Sequence, residues 1–219
     1  MLKRVKSILN LLFVCFVIAS CNKEVSQETG QLPGVPYNST EVCKSCNFYP
    51  WCSESSYTYI DSTGLSVDTV NYYYQPLMDT TIDNLVYTST LTSFGDTVLH
   101  NCTNNVTSLL IPGFDNNLTN HTLLKASLSI GATWQDDYPN DPTINSVQYK
   151  IISKSSSRKV NGTQFIDVIV VQERNFLDTT FLASSTVYYA RGVGEIEKIT
   201  KSAAGVQLYH RSIQQYDIP

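Results

Sequence analysis

The chain of 219 residues has few charged side chains. Asp, Glu, Lys and Arg make up 16% of it, against about 25% in an average soluble domain. Its 15 Lys and Arg are outnumbered by 19 Asp and Glu, which gives a net charge of −4. A nucleic-acid-binding protein needs a basic face to neutralise phosphates. This balance therefore excludes nucleic acid as an expected partner.

Signatures of catalysis and metal binding are also missing. The sequence has no Gly-x-Ser-x-Gly turn, which presents the nucleophile in many serine hydrolases. Its histidines, at positions 100, 121 and 210, form none of the short-spaced pairs that are typical of metal sites. We therefore predict no catalytic residue, no metal site and no cofactor, and we favour a protein that is not an enzyme.

Helical periodicity is weak, and short runs rich in Thr, Tyr, Val and Ile alternate with turn residues roughly every ten positions. This rhythm predicts an all-β fold, an antiparallel meander that forms a curved sheet, a half-barrel or a sandwich. The expected strands are Ser56–Ile60, Ser66–Gln75, Leu85–Thr92, Thr97–Thr103, Val106–Ile111, Thr122–Ile130, Val147–Ser153, Thr163–Gln172, Thr186–Ala190, Glu195–Lys201 and Val206–Ser212.

Some local features of this sheet can be predicted. Asn161-Gly162 favours a two-residue hairpin turn. The apolar run Phe165–Val171 predicts a strand in the middle of the sheet that is covered on both faces. Trp134 is expected to be a core residue. Leu118–Ser129 is the one segment that could instead be helical, because its leucines would share a stripe.

The N-terminal residues have the pattern of an export signal. Lys3, Arg4 and Lys6 give a positive start, and an apolar run of about eleven residues follows from Ile8 to Ile18. A membrane-spanning helix needs about twenty apolar residues, so this run is too short to span a bilayer. We predict that residues 1–20 are a signal peptide.

The end of this signal carries a resemblance to a known class. Ile18-Ala19-Ser20-Cys21 resembles the lipobox of bacterial lipoproteins, a branched apolar residue and two small residues before a Cys. The resemblance implies lipidation of the Cys21 thiol and cleavage that leaves Cys21 as the new N-terminus. Two or three acyl chains hold a protein firmly to a bilayer, so the membrane is an expected partner through this lipid.

The residues after Cys21 suggest a destination and a tether. By the sorting rule of proteobacterial lipoproteins, Asn22 in place of Asp implies delivery to the outer membrane, and Lys23-Glu24 leaves open which face the protein occupies. Residues 21–42 are polar and aperiodic, which predicts a lipidated flexible tether. Residues 43–219 are then a single antiparallel β domain. Without its signal the chain keeps 12 basic and 19 acidic residues, a net charge of −7.

Four of the six cysteines are available for disulfides once Cys15 leaves with the signal and Cys21 is lipidated. In an oxidising compartment they are expected to form two disulfides, with three possible connectivities. One connectivity joins the first two and leaves the last two to meet across about fifty residues. A thiol redox motif and a zinc site are less favoured, because the sequence context lacks a helix start and paired knuckles. The candidates are Cys43, Cys46, Cys52 and Cys102.

A wider resemblance rests on three stretches, Cys43–Cys52, Gly131–Trp134 and Tyr188–Glu197. They resemble stretches of the uncharacterised β-rich lipoproteins of Bacteroidota, which often end in a Tyr-Tyr-Ala-x-Gly-Val-Gly strand–turn–strand. The resemblance covers most of residues 43–219. It implies a β-rich exported domain and no particular activity.

The abundant aromatic residues favour a binding or structural role. Several of these rings could line a groove, because amphipathic rings bind sugars and lipids. The candidates are Phe48, Tyr49, Trp51, Tyr57, Tyr59, Tyr72–Tyr74 and Tyr188-Tyr189. We expect a lipid-anchored cell-envelope protein whose ligand is a glycan, a lipid or a protein. A lipid carrier would have a deep apolar cavity, whereas a glycan or protein adhesin would have a shallow aromatic face.

A carboxylate-dependent hydrolase of the cell envelope is the alternative function. Glu195 and Glu197 would share one face of a regular strand, about 6–7 Å apart, a separation that fits glycosidase chemistry. A calcium site is a weaker candidate, because oxygen ligands crowd into one loop that lacks the spacing of an EF-hand. The loop residues are Asp136, Asp137, Asn140 and Asp141.

Five Asp-Ser and Asp-Thr sequences resemble the O-glycosylation motif of exported Bacteroidota proteins. The resemblance implies glycans on the hydroxyl residue of each. The same sequences are also typical of a turn that leads into a strand, so both interpretations stay open. The candidate positions are Ser62, Thr69, Thr80, Thr97 and Thr179.

Overall fold

The computed structural model describes residues 46–51, 55–74, 80–82, 84–112, 118–138 and 141–218. This part of the chain contains strands and no helix, so it has no helix that could cross a membrane. The prediction of an all-β antiparallel fold is confirmed. The strands are β1 (Ser56–Thr63), β2 (Ser66–Tyr74), β3 (Thr80–Ile82), β4 (Leu85–Thr92), β5 (Thr97–Thr103), β6 (Val106–Pro112), β7 (Leu118–Lys125), β8 (Thr133–Asp137), β9 (Ser146–Val160), β10 (Thr163–Leu177), β11 (Thr180–Ala190), β12 (Gly194–Ser202) and β13 (Gln207–Asp217).

The strands form one sheet in the order β7-β6-β5-β4-β2-β1-β13-β12-β11-β10-β9-β8, and β3 pairs with β4 off this path. β1 pairs with both β2 and β13, with Tyr57 opposite Tyr72 on one side and Tyr216 on the other. The chain therefore makes two meanders, β1–β7 and β8–β13, and the β1–β13 ladder joins them.

The two outer strands of this order, β7 and β8, touch through side chains. The Thr122 N–H of β7 donates to Asp136 Oδ2 of β8 (2.6 Å), and Trp134 Nε1 donates to the Thr122 carbonyl (2.8 Å). Within the described residues no backbone ladder joins these two strands. The sheet therefore curves until its edges meet, and it has an inner and an outer face.

Two predictions about this region have different outcomes. Trp134 is a core residue as predicted, since it is buried and stacks on Tyr149 with ring centroids 5.2 Å apart. The helical alternative for Leu118–Ser129 is wrong, because residues Leu118–Lys125 form β7 and pair with β6. The ladder satisfies the backbone of this segment. Leu124 is fully buried, whereas Leu123 and Leu128 are half-buried.

The β9–β10 hairpin is the longest in the sheet, with 15 residues in each strand. Its turn is the predicted Asn161-Gly162, with φ of 47° and 89°. Register shifts occur in both strands, and Ser155 and Asp167 there have φ of 52° and 53°. The hairpin bends so that its tip crosses the outer face, where Asn161 Nδ2 donates to the Ile213 carbonyl of β13 (2.9 Å). Residues 156–165 are called the folded tip below.

The folded tip explains the burial of β10. Val168–Val171 are buried without interruption. Ile169 and Val171 pack in the inner core cluster, whereas Val168 and Val170 pack in a second cluster with Phe165 of the folded tip. β10 is covered on both faces as predicted, but the expected place in the middle of the sheet is wrong, because β10 lies third from the β8 edge.

Candidate functional site

Residues 46–51, called the strap here, cross one end of the sheet between strands that are not neighbours. Cys46 forms a disulfide with Cys102 of β5. The Gly192 N–H, in the β11–β12 turn, donates to a strap carbonyl, and the Tyr57 hydroxyl of β1 donates to another (2.8 Å). The strap therefore closes this end of the curved sheet.

The described part of the structure contains one disulfide. Cys46 pairs with Cys102, so the arrangement that joins Cys43 to Cys46 and Cys52 to Cys102 is not the one formed. A redox motif or a zinc site that uses the Cys46 thiol is also unsupported, because that sulfur is already bonded. Cys43 and Cys52 lie outside the described residues, and their pairing stays a prediction.

Aromatic rings of the strap enclose His100 of β5. Trp51 stacks on the imidazole with centroids 4.7 Å apart, and Tyr49 lies 5.5 Å from it. Burial lowers the pKa of His100 to about 3, so the ring is neutral near pH 7. The space beside the disulfide holds only about 10 Å³, roughly the least a single water needs. This end of the sheet is a packed plug.

Beyond the strap, the inner face carries a cluster of charged side chains. The register places Lys198, Arg211 and Asp61 side by side on β12, β13 and β1. Arg211 donates through Nε and Nη2 to the two carboxylate oxygens of Asp61 (2.8 and 2.7 Å). Lys198 Nζ lies 2.7 Å from Glu173 Oε2 of β10. With Glu195, these residues are called the inner charge cluster.

Tyrosine rings surround the arginine of this cluster. The Arg211 guanidinium lies 5.0, 5.3 and 5.9 Å from the ring centroids of Tyr59, Tyr72 and Tyr209. Such contacts place a cation against the negative face of a ring. Of the predicted aromatic lining, Tyr57 and Tyr59 pack in the core, and Tyr59 and Tyr72 also lie against this charge.

Glu195 is the least satisfied member of the inner charge cluster. Its Oε1 lies 3.9 Å from Arg211 Nη1 and has no hydrogen-bond partner in the described part of the chain. Burial raises the pKa of Glu195, and Glu173 and Asp61 add to this, while Arg211 and Lys198 oppose it. Burial also disfavours the charged form of Lys198, but Glu173 and Glu195 outweigh it and raise the pKa of that amine.

A second charged group lies on the outer face, under the folded tip. Glu197 Oε2 of β12 accepts a hydrogen bond from Arg158 Nε of the folded tip (2.6 Å). Glu197 Oε1 lies 3.0 Å from His210 Nε2 of β13. The Arg158 guanidinium also covers the Tyr188 ring at 4.4 Å. This group fastens the folded tip to β12 and β13, two strands with which β9 and β10 do not pair.

The expectation that Glu195 and Glu197 share a strand face is wrong. Glu195 lies near Arg211 and Glu197 contacts His210, and these two partners are consecutive residues of β13 that point to opposite faces. The cause is a register shift between Tyr188 and Tyr189, which adds a residue to β12 between the two acids. The pair therefore lacks the geometry proposed for a hydrolase.

The other candidate residues are dispersed. Thr69, Thr97 and Thr179 are exposed, whereas Ser62 and Thr80 are half-buried. The described residues contain no cluster of three or more metal-ligating acids, histidines or cysteines. In the proposed calcium loop, Asp136 accepts from the Thr122 N–H of β7 and Asp141 accepts from Thr143 within its own turn. Cys21 and Asn140 lie outside the described residues.

Sequence reasoning named Glu195 and missed the rest of the inner charge cluster. Its members come from β1, β10, β12 and β13, and nothing in a single sequence fixes which residues of distant strands lie opposite each other. The charged residues of two strand segments, Glu195–Lys198 and His210-Arg211, were the one available signal. It is also typical of an exposed strand, so it could not identify a buried cluster.

No protein-family model matches the chain, and no curated protein matches it. Among solved structures, a Bacteroides fragilis protein described as exported and as having a YmcC-like fold is 7% identical, with a TM-score of 0.47, over 79% of this chain and 100% of that one. A protein described as a lipoprotein from Parabacteroides distasonis is 11% identical, with a TM-score of 0.46, over 78% of this chain and 99% of that one.

A further similar structure is the MucA/MucB complex of Pseudomonas aeruginosa. It is 12% identical, with a TM-score of 0.34, over 74% of this chain and 50% of that one. Identities and TM-scores of this size assign the chain to no family and transfer no function to it.

Proposed function

We propose that this chain is a lipid-anchored protein of the bacterial outer membrane that binds a polar ligand, a glycan or a protein, and has no catalytic role. The observation that carries the proposal is the inner charge cluster. Two ion pairs, Arg211–Asp61 and Lys198–Glu173, occupy the inner face where a lipid carrier would have apolar residues.

The energetics of these ion pairs argue against an acyl ligand. The side chains of Lys198 and Arg211 are 28% and 20% exposed, so water still reaches them. An acyl chain on this face would remove that water and leave charges in an apolar surrounding, which costs several kcal/mol per ion. A ligand with hydroxyl, amide or charged groups replaces the lost water contacts with hydrogen bonds.

Two observations support the location in the cell envelope. The sequence around Cys21 resembles a lipobox. The Cys46–Cys102 disulfide is of the kind that persists in oxidising compartments and is rare in the cytosol. A hydrolase is not proposed, because the two acids that suggested it face opposite sides of the sheet.

The lipid anchor can be tested in a bacterium that processes lipoproteins. Cells expressing the full chain are grown with an alkyne fatty acid, and the membrane fraction is assayed for label. We expect label on the wild type and none on the Cys21→Ser variant, with Cys15→Ser as the matched control that keeps the label. Unlabelled wild type, or wild type recovered from the cytosol, would contradict the proposal.

The ligand class can be tested with a fluorescent fatty acid. The Cys21→Ser variant keeps the whole β domain and carries no lipid of its own, so it is titrated with the probe, with serum albumin as the positive control. We expect no saturable fluorescence change. Saturable binding at micromolar concentration would overturn the proposal of a polar ligand.

A further inference from the structure

The outer face of β8–β12 carries two cross-strand rows of polar side chains. The register places the members of each row directly opposite one another on successive strands. We call these residues the polar rows. The first row is Gln135, Gln148, Arg174, Ser184 and Lys201, and the second is Thr133, Lys150, Gln172 and Thr186.

The charge of the polar rows differs from the rest of the protein. They contain three cations and no carboxylate, although the predicted mature chain has a net charge of −7. Lys150, Arg174 and Lys201 are exposed and contact no carboxylate in the described part of the chain. The one acid bonded to a member of the rows is Asp137, which accepts from Gln135 Nε2 at the β8 edge (2.6 Å).

Two adjoining depressions lie along the polar rows. One of about 410 Å³ is bordered by Trp134 and Tyr149, and one of about 520 Å³ is bordered by Phe176 and Phe181. Both share Gln172 and Arg174, so they form one shallow groove that crosses the strands. With strands about 4.8 Å apart, five strands give a groove roughly 20 Å long.

We propose that this groove binds a linear anionic glycan, which lies across the strands with its carboxylate or sulfate groups on Lys150, Arg174 and Lys201. This inference rests on the proposed function and names the ligand class. The amides and hydroxyls of the rows donate to and accept from sugar hydroxyls. Of the bordering rings, Trp134 and Tyr149 are buried in the inner core, whereas Phe176 and Phe181 are accessible and supply apolar contact to a sugar ring. Each cation forms a charge-assisted hydrogen bond to an anionic group.

The shape and charge of the groove favour an anionic glycan over other polymers. Three cations are few for a nucleic acid, whose phosphates repeat at every nucleotide. An acidic protein segment would use the cations. It would leave the three glutamine amides and the Ser and Thr hydroxyls of the polar rows with fewer partners. A neutral glycan would use the amides and leave the cations without a counter-charge.

The experiment measures binding of polygalacturonate and chondroitin sulfate to the Cys21→Ser variant by calorimetry. Dextran, polyglutamate and a DNA duplex serve as comparison polymers. We expect saturable binding of at least one anionic glycan and weaker binding of the comparison polymers. Because several ionic contacts are screened by salt, the affinity for the glycan should fall by about tenfold or more between about 50 and about 200 mM salt.

Substitutions locate the site. Arg174→Gln combined with Lys201→Gln is expected to lower glycan affinity at least tenfold, because two charge-assisted contacts are lost. Lys159→Gln is the matched control, since Lys159 is exposed but lies on the folded tip outside the rows, and it is expected to change affinity less than twofold. Thermal unfolding of all variants verifies that they are folded.

Several outcomes would overturn the inference. They are absence of binding to both anionic glycans, equal binding of polyglutamate or DNA, and binding that the Arg174→Gln, Lys201→Gln variant leaves unchanged. Dextran binding that is insensitive to these substitutions would overturn the assignment of the groove but leave the proposed polar-ligand function intact. Only saturable binding of the fatty acid probe would overturn that function itself.

Discussion

The cations of the inner face and those of the polar rows on the outer face differ in their partners. On the inner face Lys198 and Arg211 each contact carboxylates. On the outer face Lys201 and Arg174 contact none within the described residues, although Lys201 lies three positions from Lys198 on β12. Composition does not distinguish these lysines. Burial does, because the partly buried Lys198 faces the nearly inaccessible Glu173 carboxylate and neutralises it, whereas the exposed Lys201 stays solvated and available.

The largest effect is expected at the strap, which closes one end of the inner face. The Cys46→Ala, Cys102→Ala double variant removes a cross-link between residues 56 positions apart. The chain-entropy relation predicts a loss of about 4 kcal/mol in the free energy of unfolding, measured by urea denaturation. A loss below about 1 kcal/mol would show that aromatic packing alone holds the strap.

The comparison of the two lysines on β12 is the next test. Lys198→Met leaves the Glu173 carboxylate, which is 7% exposed, without its partner, so we expect a loss of about 3 kcal/mol in the free energy of unfolding. Lys201→Met removes a solvated charge and should cost less than about 0.5 kcal/mol. Adding Glu173→Gln to Lys198→Met should restore part of the loss. Equal costs for the two lysines would remove the contrast between the faces.

The buried histidine at the strap makes the free energy of unfolding depend on pH. His100 has its pKa lowered to about 3 in the folded protein, against about 6.5 when unfolded. Below pH 6.5 the unfolded chain therefore takes up a proton that the folded protein does not, and stability falls as pH falls. Between pH 7.5 and 5 we expect the wild type to lose about 2 kcal/mol more than the His100→Gln variant. Parallel pH profiles of the two proteins in urea denaturation would contradict this.

The smallest effect is expected at the folded tip, which covers part of the outer face. Asn161 donates to the Ser212 hydroxyl and the Ile213 carbonyl of β13. Asn161→Gly keeps a residue that tolerates positive φ and removes only these bonds, so we expect a loss of about 1 kcal/mol. Asn104→Gly, at a turn residue with φ of 54°, is the control and should be close to neutral. Similar costs at both turns would indicate that the tip is held by its apolar contacts.

The sequence predicted the sheet well where turns and strands coincide. Leu85–Thr92 and Thr97–Thr103 match β4 and β5 residue for residue, because an apolar or β-branched run ends at a clear turn in each case. β8 was missed because aspartates end the segment Thr-Trp-Gln-Asp-Asp, and aspartate is depleted in strands. It is a strand because β9 pairs with it and Trp134 stacks on Tyr149, which is a tertiary effect.

The candidate site was predicted much less well. The inner charge cluster and the polar rows both depend on register between strands, and register is set by irregularities that a sequence does not display. The shift beside Tyr188 and Tyr189 alone separated two acids that a regular strand would have placed together. The strap was anticipated only as a cysteine-rich start, because one sequence cannot identify which later strand receives Cys46.

The ladder between β1 and β13 constrains how the protein folds. Ser56 lies opposite Asp217, so the two meanders stay separate until the last strand has been synthesised and has found the first. Contacts this distant along the chain are slow to form, because loop closure costs entropy before any pairing compensates. Until then the edge of β1 and, before β13 has been added, the edge of β12 lack a neighbour and can pair with other chains. Folding catalysts or chaperones that shield the nascent first strand are therefore expected to raise the yield of native protein.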